Sequence, residues 1–335
     1  MGDMTREVLG SSDVKDETKA VLNGLVTQFA GSTSATIEDY MSEIVDLLSI
    51  AERRGGRGAS DCTVQISGSP YTSAQLAAGL NDIKAAIARC ITGKSITISA
   101  HQQFVRAVHG TLQSGKGSEG RSVDYFILNY DTLIEDALAL ERQPLTDGFC
   151  GGATGWWDPK CFCADNVAAR VFKVHGSIDW CVWDNEVLPR RLRPCLGTHA
   201  PSQHVLIWPA ATKYRETQRD PYAQILGYMR KALRPPPSSE AVLTICGYSF
   251  GDSHINLEVD RALRESEQRL TVVAFTGDAS PTGYLCNWLA DPAVRDQVRV
   301  HARRGFFHGK DAVPSAVDLP WWKFEALVRL LGGER

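Results

Sequence analysis

Apolar residues recur at spacings of three and four through the first third of the chain, a period typical of amphipathic α-helices. In the segment 36–53, for example, Ile37, Met41, Ile44 and Leu48 fall on one face of a helix. Clusters of glycine and serine separate such segments, as turns and loops do. The pattern predicts helices over residues 13–29, 36–53, 72–90 and 95–113.

Beyond residue 122 the pattern changes to short apolar runs that alternate with amphipathic segments. Near-continuous apolar strands separated by helices are typical of a mostly parallel sheet with helices on both faces, so we predict the α/β class. Two long loops, 143–166 and 183–202, interrupt the alternation. The predicted strands are 125–128, 171–174, 205–208, 242–246, 270–275 and 298–301, and the predicted helices are 132–140, 220–233, 256–264, 281–289 and 319–331.

Composition narrows the classes of protein that fit the chain. The 36 Lys and Arg against 39 Asp and Glu give a formal net charge of -3, so direct nucleic-acid binding is not expected. No apolar run approaches the roughly 18 residues of a membrane helix, and the charged amino end has no secretion signal. Nine scattered cysteines form no Cys-x-x-Cys pair. We therefore predict reduced thiols, a cytoplasmic location and no metal site.

Polar residues follow three of the predicted strands at the point where each strand ends. They occupy positions 129–132, 175–177 and 247–254. Because ligands bind outside the carboxyl ends of the strands in an open parallel sheet, these three turns are the candidate site. Taken singly, an aspartate there also suits a helix cap, and a glycine a tight turn. Their joint occurrence at one sheet edge favours a common site.

The three turns belong to longer motifs in a fixed order. The motifs are FILNYDTLIE at 126–135, VFKVHGSIDW at 171–180 and LTICGYSFGDSHIN at 243–256. Together they resemble the sirtuin superfamily, and more closely its bacterial sirtuin-like branch associated with phage defence. The resemblance implies a Rossmann-like core over residues 119–335 that ends in a C-terminal helix, preceded by a helical subdomain over residues 1–118.

The resemblance also implies a role for each turn. In the family an asparagine and a histidine act on the ribose next to nicotinamide, and they correspond here to Asn129 and His175 as catalytic residues. An amide orients water without adding a charge, and an imidazole, with an ordinary pKa of about 6.5, accepts a proton near neutral pH. For Asp252 and His254, helix capping is an equal alternative to ligand contact. The residues implied in NAD binding are Asp131, Gly176, Ser177, Gly247, Ser249, Asp252 and His254.

The sequence departs from the family pattern in two places. Protein-deacylating sirtuins carry two Cys-x-x-Cys pairs after the histidine motif, where this chain has only Cys181 and Cys195, so no zinc is expected. In the family a Gly-Ala-Gly-x-Ser loop follows the first strand and wraps the dinucleotide phosphates, but this sequence has no such motif. The nearest string, Gly58-Ala59-Ser60, does not follow an apolar strand and is interpreted as a solvated loop. We expect the genomic sequence upstream of Met1 to encode such a strand and loop, with residues 1–9 as a remnant of the first core helix.

Three functions of different classes remain open. The first is an NAD glycohydrolase that releases nicotinamide and ADP-ribose in antiviral defence, with NAD as its substrate. The second is a regulatory subunit that binds NAD or ADP-ribose without turnover, which the missing phosphate loop favours. The third is a protein deacylase, which the missing cysteine pairs disfavour. The resemblance further implies a homo-oligomer and a HerA-type hexameric ATPase as partner.

Overall fold

Helices and strands follow one another along the chain in close agreement with the apolar pattern, and the α/β class is confirmed. The computed structural model describes residues 2–12, 14–29, 35–56, 62–114, 122–152, 154–183, 186–192, 203–206 and 220–333. Within them the helices are α1 (Gly2–Leu9), α2 (Asp16–Gln28), α3 (Ile37–Gly55), α4 (Ser73–Thr92), α5 (Ser99–Ser114), α6 (Leu133–Leu140), α7 (Tyr222–Ala232), α8 (Ser253–Glu265), α9 (Gly283–Ala290) and α10 (Phe324–Leu331). The strands are β1 (Val64–Ile66), β2 (Ser69–Tyr71), β3 (Val123–Ile127), β4 (Leu145–Thr146), β5 (Phe149–Cys150), β6 (Thr154–Trp157), β7 (Ala169–Lys173), β8 (Gly176–Val182), β9 (Arg190–Leu192), β10 (Gln203–Leu206), β11 (Ala241–Cys246), β12 (Leu270–Thr276), β13 (Val298–Ala302), β14 (Gly305–His308) and β15 (Asp311–Pro314).

Helices α1 to α4 pack around a hydrophobic cluster of their own. Leu22, Ile44 and Ile83, from three different helices, are fully buried in it. Their three-four spacing explains why the sequence predicts these helices well. The β1–β2 hairpin between α3 and α4 is not predicted by the apolar pattern, because its strands are only three residues long.

A parallel sheet in the order β3-β7-β4 carries the first two candidate turns. Its residues alternate between two cores, as the side chains of strands do. Tyr125 and Val171 face one cluster with Val105 of α5 and Leu138 of α6. Phe126 faces the opposite side, where its ring stacks on a phenylalanine of β7 at 4.9 Å. Both faces of this sheet are therefore covered.

A second sheet, in the order β11-β12-β13-β14-β15, carries the third candidate turn. Strands β11, β12 and β13 are parallel, and β14 and β15 continue the sheet in antiparallel hairpins. Val272 and Val300 are fully buried in a large cluster that Phe126 and Leu128 also contact. The two sheets thus border one hydrophobic core, and the parallel pairing predicted from the apolar runs is present in both.

The two segments predicted as long loops contain strands, so that prediction is wrong. Strands β4, β5 and β6 and a 3-10 helix (Pro159–Cys163) lie in the first segment, and β9 lies in the described part of the second. Of these, β5, β6 and β9 join β8 and β10 in an antiparallel sheet in the order β10-β8-β9-β6-β5, whereas β4 pairs with β7. Most of these strands have two to four residues, which is too short for a period-2 pattern to be recognised.

Cys150 and Cys161 form a disulfide, so the prediction that all cysteines are reduced is wrong for this pair. Strand β5 and the 3-10 helix bring the two residues together across 11 positions of sequence. A carboxylate oxygen of Asp158 and the two sulfur atoms lie within 4.8 Å of one another. Cys163, Cys246 and Cys286 are free cysteines of the described part of the chain.

Several predictions concern segments outside the described residues. The domain boundary at 118/119 and the Gly58-Ala59-Ser60 loop belong to this group, so the two-domain division stays a prediction. Residues 207 and 208 of one predicted strand lie outside as well. Of the helices in the described ranges, none has the length and hydropathy that crossing a bilayer requires.

Candidate functional site at the carboxyl ends of the parallel strands

The first two turns are joined to each other by hydrogen bonds. Strands β3 and β7 pair in register, so the turns that follow them leave the sheet side by side. The backbone N–H of Ile178 donates to the carbonyl oxygen of Tyr130 at 2.9 Å, and the hydroxyl of Ser177 lies 3.3 Å from the same oxygen. Backbone bonds of this kind fix Asn129 and His175 on neighbouring segments.

The turn that contains His175 differs from the prediction in one respect. The sequence predicts no strand between 174 and 205, whereas residues 174 and 175 connect β7 directly to β8. Gly176 has a φ of +86°, a left-handed conformation that suits glycine and is compatible with the turn between the two strands. His175, which lies in this turn, is buried, with 4% of its surface exposed.

The third turn is organised by a buried asparagine. Asn256 on α8 is 1% exposed, and its side-chain amide donates to the carbonyl oxygen of Phe250 at 2.7 Å. The hydroxyl of Tyr248 lies 3.0 Å from the side-chain oxygen of Asn256 and 3.1 Å from the carbonyl oxygen of Asp252. Gly247 and Phe250 both have positive φ, at +68° and +58°. The asparagine therefore holds a loop whose backbone is bent twice.

The third turn lies next to the other two. The ring centroids of His175 and His254 are 5.8 Å apart. Tyr130 of the first turn packs against the hydrophobic cluster of α1 to α4. Its pKa is raised by burial and then by the charges of Glu38, Tyr222 and Asp252. All three turns predicted from the sequence thus meet at one edge of the molecule.

The predicted site residues differ in exposure. Asp131 has a local role, since its carboxylate accepts a hydrogen bond from the backbone N–H of Leu133 at 3.1 Å at the start of α6. Asp252 occupies the N-cap position of α8. The placement of Asp131 matches the capping alternative, whereas the side chain of Asp252 makes no capping hydrogen bond at this position. Asn129, Gly247 and Ser249 are exposed, Asp131, Asp252 and His254 are partly buried, and His175, Gly176 and Ser177 are buried.

Sequence reasoning missed three ionisable residues around the first turn. Burial lowers the pKa of His101 on α5, while the charges of Asp131 and Glu325 raise it. Lys173, at the end of β7, and Glu135, on α6, are both buried directly under the turn. The sequence signal for Lys173 was its position inside an otherwise apolar run, VFKV at 171–174.

Replacing Asn256 by alanine is expected to loosen the third turn. The substitution leaves the carbonyl oxygen of Phe250 without its side-chain donor, and a buried group left unsatisfied costs about 1–3 kcal/mol. We expect the free energy of unfolding to fall by about that amount, with faster hydrogen exchange of the amides at 247–252. Replacing the exposed Asn287 of α9 by alanine is the control, and equal exchange in both variants would contradict the assigned role of Asn256.

Comparison with known proteins agrees with this geometry. A family model described as SIR2-like domain matches residues 124–295, slightly more than half of the chain. The matched range begins in β3 and includes all three turns. No curated protein matches the chain.

Proposed function

Because the chain belongs to the family of SIR2-like domains, we propose that it is an NAD glycohydrolase. It would cleave the bond between nicotinamide and ribose and release nicotinamide and ADP-ribose. One observation carries the proposal: the hydrogen bonds to the carbonyl oxygen of Tyr130 join the turn of Asn129 to the turn of His175. The two residues with the required chemistry therefore lie together at the sheet edge where ligands of such folds bind.

Each of the two residues is placed for a different task. Asn129 is exposed beyond the end of β3, so its amide is free to orient a water molecule or hold a ribose hydroxyl. His175 is shielded from bulk solvent and is placed to accept a proton from that hydroxyl or water. Asn129 carries no charge, so it does not compete with the positive charge that develops on the sugar as the bond breaks.

The surroundings of the first turn fit a polar ligand. The Nδ1 atom of His101 is buried and has no hydrogen-bond partner among the described residues. Buried polar groups are normally paired, so an unpaired one next to the candidate site is consistent with a partner supplied by a bound nucleotide. The remaining predicted NAD contacts come from the second and third turns, whose His175 and His254 rings have centroids 5.8 Å apart.

The biological setting proposed here is bacterial antiviral defence in the cytoplasm by depletion of NAD. An enzyme that destroys a central cofactor must be held inactive until it is needed. We propose control by assembly, with a homo-oligomer of this chain and a HerA-type hexameric ATPase as the partner. Support for this setting is the likeness of the three motifs to the bacterial branch of the family.

A regulatory subunit that binds NAD or ADP-ribose without turnover is the second candidate. The observation that favours it is the lack of a Gly-Ala-Gly-x-Ser loop after an apolar strand in the sequence. The phosphates would then be held more weakly, because such a loop supplies backbone N–H donors at a helix N-terminus. Calorimetry that finds NAD binding, with no nicotinamide release in the presence of the ATPase, would select this function.

Incubation of the full chain with NAD, with and without the HerA-type ATPase, tests the proposal. Chromatography of the products is expected to find nicotinamide and ADP-ribose in equal amounts. Release that depends on an added acyl-lysine peptide would point to a deacylase and contradict the proposal. So would intact NAD in both incubations.

A further inference from the structure

We propose that Lys173 is a positioning residue that holds the first turn in place, with Glu135 as its counter-ion. The inference rests on the function proposed above, since the turn that Lys173 holds carries Asn129. Lys173 is the last residue of β7, and its side chain is 1% exposed. Its ammonium group donates a hydrogen bond to the backbone carbonyl oxygen of Asp131. The lysine therefore reaches from the sheet into the turn.

The burial of this charge needs an explanation. Lysine is almost never fully buried unless it is paired, and a buried ion pair is weak evidence for a gain in stability. Here the Nζ atom of Lys173 lies 3.6 Å from Oε1 of Glu135, whose side chain is 7% exposed. The second carboxylate oxygen of Glu135 has no hydrogen-bond partner among the described residues. Because one oxygen of the carboxylate is unpaired within the described ranges, the ion pair is poorly suited to stabilise the fold. This favours a role for Lys173 in positioning the first turn.

The contact with Asp131 completes a pair of anchors for the turn. Two consecutive carbonyl groups are held, that of Tyr130 by the backbone of Ile178 on β8 and that of Asp131 by Lys173 on β7. Fixing both peptide groups fixes the direction in which the chain leaves β3. A misplacement of about 1 Å in a reacting group can cost roughly 100-fold in rate. Loss of the lysine anchor is therefore expected to affect turnover through Asn129.

The ionisation of Glu135 depends on the same contact. Burial raises the pKa of Glu135 to about 7, the positive charge of Lys173 acts to lower it, and the acidic groups of Asp179 on β8 and Asp147 after β4 add to the rise. Without Lys173 the pKa must rise further. A carboxyl whose pKa is higher in the folded than in the unfolded chain loses its contribution to stability as the pH rises through the folded value. Without Lys173, the free energy of unfolding is therefore expected to keep falling as the pH rises above 7.

Four full-length variants test the proposal: Lys173→Met, Glu135→Gln, the double variant with both changes, and Arg170→Met as the control. Arg170 also joins β7 to β3, through Asp124 at 2.6 Å, but at the opposite end of the strand pair. Loss of the lysine anchor is expected to reduce kcat for nicotinamide release roughly 100-fold, with little change in KM. In the double variant the unfolding midpoint is expected to recover, while kcat stays low. Arg170→Met is expected to keep the kcat of the wild type.

A pH series adds a second readout. Between pH 7 and 9 we expect the unfolding midpoint of Lys173→Met to fall more steeply than that of the wild type. The double variant, which has no carboxyl at position 135, is expected to lack this extra slope. Equal slopes in all three proteins would show that Glu135 is not balanced by Lys173, and would overturn the assignment of the counter-ion.

Two outcomes decide the positioning role itself. Recovery of kcat together with the unfolding midpoint in the double variant would overturn the proposal, because the pair would then act only on stability. If the wild type releases no nicotinamide, the proposed function fails, but hydrogen exchange at residues 129–133 in the absence of NAD still tests the anchor. Exchange there is expected to be faster in Lys173→Met than in Arg170→Met, and equal exchange would overturn the proposal.

Discussion

Replacing His175 by alanine is expected to abolish nicotinamide release from NAD. A side chain that transfers a proton in the reaction contributes about 100- to 10,000-fold to the rate, and we expect kcat to fall within that range. The imidazole is 4% exposed, so its removal also leaves a cavity that lowers the free energy of unfolding by about 1–3 kcal/mol. The rate is therefore measured well below the unfolding midpoint of the variant, with product chromatography as the assay.

His308→Ala is a matched control for the loss of an imidazole. This partly buried histidine lies on β14, and its Nδ1 atom is 3.0 Å from the carbonyl oxygen of Val298. It is outside the three turns, so its removal is expected to leave kcat unchanged. A His175→Ala variant that keeps the wild-type rate would refute the assignment of the proton acceptor.

Replacing Asn129 by alanine is expected to separate activity from stability. The side chain is exposed, and substitutions at such positions usually change the free energy of unfolding by no more than about 0.5 kcal/mol. Removing a hydrogen-bonding group that acts on the reacting centre costs about 100- to 1,000-fold in kcat. We therefore expect an inactive variant with an unchanged unfolding midpoint, measured by calorimetry together with the NAD assay.

Asn287→Ala again serves as the control, because Asn287 is an exposed asparagine on α9, outside the three turns. Full activity in this variant is expected. A loss of stability in Asn129→Ala comparable to that of a core substitution would mean that Asn129 supports the turn. Its role in catalysis would then need a different explanation.

The strands that carry the site could be predicted because of their composition. Strands β3, β7 and β11 are mostly apolar, and their observed limits lie within two residues of those predicted at both ends. The polar residues that follow them are then placed at one edge by the rule for parallel sheets. The position of the three turns therefore follows from sequence, and their contact with one another is confirmed by the geometry.

Features that depend on contacts distant in sequence could not be predicted. Strand β8 continues directly from the His175 turn and pairs with β9 and β10, although Ser177 and Asp179 interrupt its apolar pattern. The pairing of Lys173 with Glu135 joins residues on a strand and a helix separated by 38 positions. The apolar run around Lys173 indicates its burial but does not indicate which residue is its partner. Only their shared burial identifies them as a pair.

The proposed function requires that the turns after β3 and β7 form a site that cleaves NAD. The most direct test measures nicotinamide and ADP-ribose released from NAD by the wild type, Asn129→Ala and Asn287→Ala at equal protein concentration, with the partner ATPase present. Equal amounts of both products are expected from the wild type and from Asn287→Ala. The expected rate for Asn129→Ala is at least about 100-fold lower, and the proposed function depends on this difference. Consumption of NAD by Asn129→Ala at the wild-type rate would contradict it.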